Sequence, residues 1–115
     1  MGRITTHVLD TAAGQPAAGV KVVLRKIDGA DAVIIEAVTN ADGRLDAPLL
    51  DGGACAPGSY ELAFHVGDYF RARNVALADP AFLDIIPVRF TISDDGHYHV
   101  PLLVSPYGYS TYRGS

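Results

Sequence analysis

Three of the four histidines lie in segments where alternate residues differ in polarity, a pattern typical of half-buried β-strands. His7 is at the centre of ITTHVLD, residues 4–10, and the two-residue period of a strand puts it on one face with Thr5. Ile4 and Val8 occupy the opposite face and are natural core residues. We therefore expect the His7 imidazole to point outward, into a groove or an interface, where its ordinary pKa of about 6.5 suits it to act as a base. A solvated histidine without a role is the alternative.

A second pair of histidines opens a later segment, HYHVPLLV, at residues 97–104. His97 and His99 fall on one face of the predicted strand, and Tyr98 falls on the other with the alternate apolar residues that follow it. Imidazoles spaced in this way are suited to binding a metal ion or to holding a water molecule for base catalysis. Metal binding is the weaker hypothesis, because no carboxylate or cysteine completes a zinc set at a suitable spacing. A solvated strand end is the alternative to both.

The last residues, YSTYRGS at 109–115, combine two tyrosines, an arginine and an α-carboxylate in one short segment. Chain ends are commonly polar and frayed. An aromatic end therefore predicts a packed segment, and an ordinary last strand is the alternative.

Two further reactive residues lie in stretches with the composition of turns and loops. Arg44 follows the turn NADG at residues 40–43, and considered alone it is one more surface arginine. The single cysteine, Cys55, lies in the loop GGACAPG at 52–58, where we expect an inert thiol because activated thiols are rare. One thiol makes no intrachain disulfide, so nothing in the sequence requires an oxidising compartment.

The elements that must position these residues are short β-strands. Gly and Pro recur between runs rich in Val, Ile, Tyr, Phe and Thr, and about eight such runs are typical of a sandwich or barrel. Pro87 favours either an edge position for its strand or a place at the start of that strand. Residues 47–59 are predicted as a loop, and one short helix is predicted at 68–73. Four aromatic side chains are expected in the core: Tyr60, Phe64, Phe82 and Phe90. Strands are predicted at 4–10, 19–27, 32–39, 44–45, 60–65, 85–92, 97–104 and 109–113.

Length and composition exclude several classes of protein. The chain has 115 residues, 49% of them hydrophobic and 19% charged, which suits a single domain over residues 1–115 and is too short for a TIM barrel. Nine Lys and Arg against 13 Asp and Glu give a net charge of −4, so we expect no nucleic-acid partner. The sequence has no run of about 18 apolar residues and no secretory signal pattern, so we expect no membrane association and a cytoplasmic location.

Taken together, the motifs resemble the transthyretin-like family and, within it, its 5-hydroxyisourate hydrolases. The resemblance covers essentially the whole chain. YRGS at 112–115 is the most specific element, because it marks the hydrolases and is absent from the hormone-carrying transthyretins. The motifs that carry the match are ITTHVLD at 4–10, GQPA at 14–17, TNADGR at 39–44, HYHVPLL at 97–103 and SPYGYSTYRGS at 105–115.

The resemblance implies an all-β fold, an assembly and a site. The fold would be a transthyretin-like β-sandwich of two four-stranded sheets with one short helix after the fifth strand. The assembly would be a homotetramer whose active sites lie at a central channel. Catalysis would rest on His7, Arg44 and His99. Substrate binding would involve His7 and Arg44 together with Tyr112 and Ser115, and His97 would have no assigned role.

The same resemblance implies a reaction, the hydrolysis of 5-hydroxyisourate to 2-oxo-4-hydroxy-4-carboxy-5-ureidoimidazoline in purine breakdown. His7 and His99 would hold and deprotonate the attacking water, with their division of roles left open. Arg44 would stabilise the oxyanion or clamp the urea-like edge of the substrate. Tyr112 would contact the substrate ring, and Ser115 would bond a substrate amide or steady a histidine. The reaction would require no metal ion or organic cofactor.

Two other functions fit the same pattern of strands. A transthyretin-like carrier would hold a small aromatic ligand without turning it over, and it has no need of His7, Arg44 or the YRGS end. A structural or adhesion β-sandwich would pair with partners through its edge strands, and its histidine-bearing face would serve no special purpose.

Overall fold

Strands dominate the computed structural model, which describes residues 2–28, 32–52, 55–94 and 96–114. Within these residues the elements follow one another in a simple order. They are β1 (Arg3–Asp10), β2 (Gln15–Pro16), β3 (Lys21–Lys26), β4 (Ala32–Val38), β5 (Leu50–Asp51), β6 (Gly58–His65), α1 (Val66–Ala72), β7 (Ile85–Ile92), β8 (His97–Ser105) and β9 (Gly108–Thr111).

The strands form two sheets. One has the order β2-β1-β8-β9, with β5 also paired to β1, and its β1 and β8 strands run parallel. The other has the order β4-β3-β6-β7 and is antiparallel throughout. The predicted two-sheet β-sandwich with one short helix is confirmed. Of the two alternatives for Pro87 the structure shows the first, because β7 is an edge strand. The first sheet has five strands rather than four because two-residue strands at 15–16 and 50–51 both pair with β1.

The core lies between the sheets and follows the predicted alternation. In β1, Ile4 and Val8 are fully buried, whereas Thr5 and His7 are half-buried on the other face. That alternation leaves the outer face of the five-stranded sheet to polar side chains. The largest fully buried side chains are Tyr60, Phe64, Phe70, Ile4, Leu24, Leu62, Ile86 and Leu102.

Several local predictions are wrong. Residues 44–45 do not form a strand, because Arg44 makes only a single bridge to β1. The helix begins at Val66 rather than at residue 68, and the two added residues, Val66 and Gly67, are both buried. Phe82 is 69% exposed, with its ring 5.9 Å from that of Tyr107, so it is not a core residue. The predicted loop at 47–59 contains β5 and the start of β6.

Cys55 lies in a loop, as predicted, but its side chain is buried. Burial and the nearby Asp51 charge raise the pKa of the thiol, which keeps it protonated. An inert thiol is the chemistry that this environment favours.

A buried polar contact joins α1 to the end of β1. The Tyr69 hydroxyl donates to Oδ2 of Asp10 at 2.8 Å, while the backbone N–H groups of Ala12 and Ala13 donate to Oδ1 at 3.1 and 2.9 Å. Asp10 is only 2% exposed. Burial, together with the bond to Asp10, raises the pKa of Tyr69 to about 12. The contact therefore satisfies a buried carboxylate that apolar surroundings alone would penalise.

In the part of the chain that the structure describes, no helix is long and apolar enough to cross a membrane.

Candidate active site

An open groove of about 550 Å³ lies over the polar side chains of β1 and β8. Four of the five predicted site residues line it: His7, Arg44, His99 and Tyr112. Residues from both ends and from the middle of the sequence therefore meet in one place. The fifth, Ser115, lies outside the described residues.

Backbone pairing along one edge of β1 brings Arg44 beside His7. β8 pairs with the opposite edge of β1, so all other partners of β1 pair with the edge that carries Arg44. β5 pairs with the start of β1, β2 pairs with its end, and Arg44 forms a single antiparallel bridge to His7 between them. The position of Arg44 is thus set by main-chain contacts rather than by its flexible side chain.

The turn NADG presents Arg44 to this edge. Oδ1 of Asn40 accepts hydrogen bonds from the backbone N–H groups of Asp42 at 2.9 Å and Arg44 at 3.2 Å. Gly43 has a φ of 74°, and a Cβ there would collide with the carbonyl oxygen of Val8. Its own carbonyl accepts the Val8 N–H at 2.8 Å. Glycine is required at this position by both conformation and close approach.

The same turn orients the imidazole of His7. Nε2 of His7 lies 3.0 Å from the carbonyl oxygen of Asp42. A carbonyl only accepts, so Nε2 is the donor and the neutral ring keeps its lone pair on Nδ1. Burial, and then the positive charge of Arg44, lower the pKa of His7. The site therefore favours a neutral imidazole with Nδ1 as its basic atom.

The parallel pairing of β1 and β8 places His99 opposite Thr5. Nδ1 of His99 lies 2.8 Å from Oγ1 of Thr5, and Nε2 of His97 lies 2.9 Å from the same oxygen. Burial is the main cause that lowers the pKa of His99, followed by the charges of Arg44, His7 and His97. His99, like His7, is thus held toward its neutral form near pH 7.

The C-terminal segment closes one side of the groove through its backbone. The N–H of Gly114 donates to the carbonyl oxygen of His99 at 2.8 Å, and Arg113 lies over the Tyr98 ring at 4.2 Å. The predicted packing of the aromatic side chains is wrong for a single chain, because Tyr112 is 59% exposed and Tyr109 is also exposed. The contacts of this segment fix its main chain and leave the tyrosine rings open.

Arg44 supplies a charge that no acidic group neutralises within the described residues. Its guanidinium is exposed, lines the groove and forms no ion pair there. Such a cation is available to an anionic or strongly polar ligand. The same described part of the chain contains no group of three or more His, Cys, Asp or Glu side chains that could hold a metal ion.

Sequence reasoning missed the hydroxyl that joins two of the histidines. Thr5 was placed on the outward face with His7, but no motif marks it as a partner of residues 97 and 99. Its contacts span 92 and 94 positions of the chain and depend on the register between β1 and β8. A signal does exist in hindsight, since Thr5 occupies the same strand face as a predicted site residue.

The fold and this groove define a transthyretin-like β-sandwich with a histidine- and arginine-lined site on one sheet face. The chain belongs to the HIUase/Transthyretin family, whose model matches residues 4–114.

Comparisons with individual proteins agree with this membership. The chain is 61% identical over 116 residues to 5-hydroxyisourate hydrolase 2 of Rhizobium meliloti (strain 1021), covering 99% of this chain and 97% of that protein. It superposes on the structure of Klebsiella pneumoniae 5-hydroxyisourate hydrolase with a TM-score of 0.83 and 34% identity, over the full length of both chains. It also matches the crystal structure of (S)-allantoin synthase with a TM-score of 0.95 and 46% identity, covering 99% of this chain and 44% of that longer one.

Proposed function

We propose that this protein hydrolyses 5-hydroxyisourate to 2-oxo-4-hydroxy-4-carboxy-5-ureidoimidazoline, a step of urate breakdown. The observation that carries the proposal is the groove that collects His7, His99 and the guanidinium of Arg44, which forms no ion pair with the described residues. The full-length similarity to a relative named 5-hydroxyisourate hydrolase 2 supports the choice of substrate. A neutral base beside a fixed cation is what hydrolysis of a cyclic amide requires.

In the proposed mechanism a water molecule attacks the carbonyl carbon of the cyclic amide, and a neutral histidine takes its proton. Nδ1 of His7 is the basic atom available on one side of the groove, since Nε2 is committed to the Asp42 carbonyl. His99 serves as the partner that orients the water and later returns a proton to the leaving nitrogen. Both residues have pKa values below the ordinary histidine value, which keeps the base unprotonated near pH 7.

Charge develops on the carbonyl oxygen as the tetrahedral intermediate forms. The guanidinium of Arg44 stabilises this oxyanion or clamps the urea-like edge of the substrate, because its planar array of donors suits either task. Tyr112 contacts the substrate ring from the open side of the groove. Ser115 bonds a substrate amide or steadies a histidine, a role that rests on the family resemblance. Every group in this mechanism is a protein side chain, so we expect no cofactor.

A carrier function is the alternative. The family name covers both HIUase and transthyretin, so membership alone does not separate catalysis from ligand transport. The polar groove favours catalysis, because a carrier of an aromatic ligand has no use for two imidazoles held in their neutral forms beside an arginine that forms no ion pair with the described residues. The distinguishing observation is turnover.

We further propose that four copies assemble into a homotetramer with the groove opening onto a central channel. β7 and β9 are edge strands of the two sheets, and a second groove of about 300 Å³ lies between them. Large apolar side chains are exposed near these strands, including Phe82, Ile85, Tyr107 and Tyr109. Exposed edges and apolar patches of this kind are typical of interfaces between copies. A native mass of one chain would contradict the tetramer.

We place the protein in the cytoplasm. The support is the sequence itself, which contains one cysteine and therefore makes no use of intrachain disulfides.

The decisive experiment adds purified protein to freshly generated 5-hydroxyisourate and follows the ultraviolet absorbance of the substrate. We expect decay well above the spontaneous rate in buffer, with His65→Asn as a control that removes a histidine outside the groove. Decay at the spontaneous rate, accompanied by tight binding of the substrate or an aromatic analogue, would favour the carrier instead.

A further inference from the structure

The hydroxyl of Thr5 joins two imidazoles at hydrogen-bond distance, and one of them has no role in the mechanism above. Oγ1 lies 2.8 Å from Nδ1 of His99 and 2.9 Å from Nε2 of His97. It has no other hydrogen-bond partner among the described residues. His99 is half-buried in the groove, whereas His97 is exposed. A continuous chain of three polar groups therefore runs from the interior of the site to solvent.

We propose that Thr5 and His97 form a proton relay that connects His99 to solvent, with Thr5 as the positioning residue and His97 as the outer proton carrier. This inference rests on the proposed function, because it concerns how His99 recovers its working protonation state during hydrolysis. It extends that function by assigning His97 and Thr5 a role in proton transfer.

The hydrogen-bond geometry limits which atoms of Thr5, His97 and His99 can carry protons. A hydroxyl donates one hydrogen bond and accepts up to two. When the hydroxyl proton of Thr5 points to one of the two rings, the other ring donates a hydrogen bond to Oγ1. The two neutral rings must then carry their protons on equivalent atoms. When Thr5 donates to His97, both rings are protonated on Nδ1, and when it donates to His99, both are protonated on Nε2.

The two arrangements correspond to two working forms of His99. With the proton on Nδ1, the lone pair of Nε2 is free to accept a proton. No described residue competes for that atom with a hydrogen bond. With the proton on Nε2, the same atom is a donor. A single ring can thus accept a proton on Nε2 and later donate it from the same atom. Removing the Nδ1 proton in between moves the positive charge away from Arg44, which opposes protonation of His99.

The relay supplies that exchange with every proton balanced. After Nδ1 of His7 has taken the first proton of the attacking water, the second remains on the tetrahedral intermediate. When Nε2 of His99 accepts this second proton, the ring becomes an imidazolium. Its Nδ1 proton passes to Oγ1 of Thr5 as the hydroxyl proton of Thr5 passes to Nε2 of His97. His99 is left neutral with a proton on Nε2, ready for the leaving nitrogen, and the positive charge moves to His97. The exposed His97 ring then releases its Nδ1 proton to water or buffer. As Nε2 of His99 gives its proton to the leaving nitrogen, the transfers run in reverse. The hydroxyl proton of Thr5 passes to Nδ1 of His99, the Nε2 proton of His97 passes to Oγ1 of Thr5, and His97 regains an Nδ1 proton from water or buffer.

The parallel register of β1 and β8 fixes the positions of the three hydrogen-bonded groups. Thr5 pairs directly with His99, and Arg3 pairs with His97, so both rings flank Thr5 on one sheet face. The bridge between Gly114 and His99 holds that strand from its other edge. The donor and acceptor atoms are therefore aligned by the backbone before substrate binds, which lowers the reorganisation that proton transfer requires.

Three variants test the relay through turnover. Thr5→Val replaces the hydroxyl by a methyl group of similar size, and we expect kcat to fall by about 10²-fold with little change in KM. Thr5→Ser keeps the hydroxyl, and we expect it to retain activity within a few-fold. His97→Gln should lower kcat about tenfold in weak buffer, and added imidazole should restore it by carrying the proton. His65→Gln, a change at a histidine outside the groove, should be insensitive to imidazole.

A second measurement does not depend on turnover. Nitrogen-15 NMR of the imidazole rings in the resting protein reports which nitrogen carries each proton. We expect His97 and His99 to share one tautomer, and Thr5→Val to remove that correspondence. Rings in opposite tautomers, with protons on Nε2 of His97 and Nδ1 of His99, would overturn the relay.

The two proposals fail in different ways. Wild-type protein without activity on 5-hydroxyisourate would contradict the proposed function, while the tautomers would still decide on the relay. Active wild-type protein with Thr5→Val and His97→Gln within twofold of it would overturn the relay and leave the function standing. Should Thr5→Val fail to fold, Thr5→Ser, His97→Gln and the tautomers of the wild type decide the matter.

Discussion

Gly114 and His99 are in contact so close that no side chain fits between them. The backbone N–H of Gly114 donates to the carbonyl oxygen of His99 at 2.8 Å, and a Cβ built on Gly114 would lie 2.5 Å from Cδ2 of the His99 ring. A glycine near the end of the chain therefore sets the position of an imidazole on β8. The contact gives the glycine of the YRGS motif a structural role, which is to position the His99 ring.

The first prediction follows from this contact. Gly114→Ala should push the His99 ring aside and lower kcat/KM by about 10²-fold, since a displacement of about 1 Å can cost this much in a positioned site. Gly108→Ala is the matched control, because a Cβ there meets only the Ser105 hydroxyl at 3.7 Å. Steady-state rates and thermal unfolding of both variants provide the check. Equal activity of the two proteins would show that the ring tolerates the new methyl group.

The second prediction concerns the two groove histidines. His7→Asn and His99→Asn should each lower kcat/KM by about 10²-fold or more, the usual size of a general acid–base contribution. Both proteins should fold, because the two side chains lie on the polar face of their sheet and not in the core. Circular dichroism beside the rate measurement separates loss of chemistry from loss of fold. Near-normal activity in either variant would remove that histidine from the mechanism.

The third prediction concerns pH. Burial and the Arg44 charge lower the pKa values of His7 and His99, so the neutral bases persist to lower pH than a free histidine would allow. The acid limb of the kcat/KM profile should therefore have its midpoint below about 6.5. Arg44→Gln should move that midpoint upward, and Arg44→Lys should leave it close to the wild-type value even where the rate falls.

The groups that face the two imidazoles decide how far the midpoint moves. His99 faces Arg44, His7 and His97, all of which oppose its protonation. At His7, the hydrogen bond to the Asp42 carbonyl and the Asp42 charge act in the opposite direction. A midpoint that stays fixed on loss of the arginine charge would mean that neither histidine governs the acid limb.

The fourth prediction tests the buried contact between α1 and β1. Tyr69→Phe removes the hydroxyl that donates to Asp10, and it should lower the free energy of unfolding by about 1.5–3 kcal/mol, as for a hydrogen bond to a charged group. Activity of the folded protein should persist, because Tyr69 does not line the groove. Urea unfolding is the measurement, with Tyr107→Phe as a control at an exposed ring. Equal stability of the two variants would contradict the assigned role of the contact.

The fifth prediction is metal-independent turnover. Exhaustive chelation should leave the rate unchanged, since water activation and oxyanion stabilisation are assigned to His7, His99 and Arg44. The experiment compares activity before and after dialysis against a strong chelator, with metal content determined in parallel. Activity lost on chelation and restored by zinc alone would indicate that His97 and His99 bind a metal ion.

The sequence was most informative where local alternation decides burial. The faces of β1 and β8 and the edge position of β7 all follow from residue types within a few positions. Prediction failed where a structural feature depends on residues that are distant in the sequence. β5 is only two residues long and is fixed by pairing with β1, and Phe82 looks like a core residue until the surface is known.

Prediction of the site succeeded and failed for the same reasons. The alternation around His7 and His99 predicted that both face away from the core, and family resemblance grouped them with Arg44 and Tyr112, which share the groove. The alternation also predicts the face that Thr5 occupies, but not its link to His97 and His99, because that link depends on the register of two strands some 90 residues apart. Their catalytic roles remain predictions for the variants above.

The parallel pairing of the first long strand with the last has a consequence for how the protein is made. Thr5 and His7 leave the ribosome before His99, which follows only after some 90 further residues. Pairings between distant segments form slowly, because the intervening chain must first be closed into a loop. In refolding from denaturant, we therefore expect activity to return with the slowest phase that fluorescence or circular dichroism detects. A nascent chain that lacks β8 has no complete groove, so it cannot begin turnover before β8 has emerged and paired with β1.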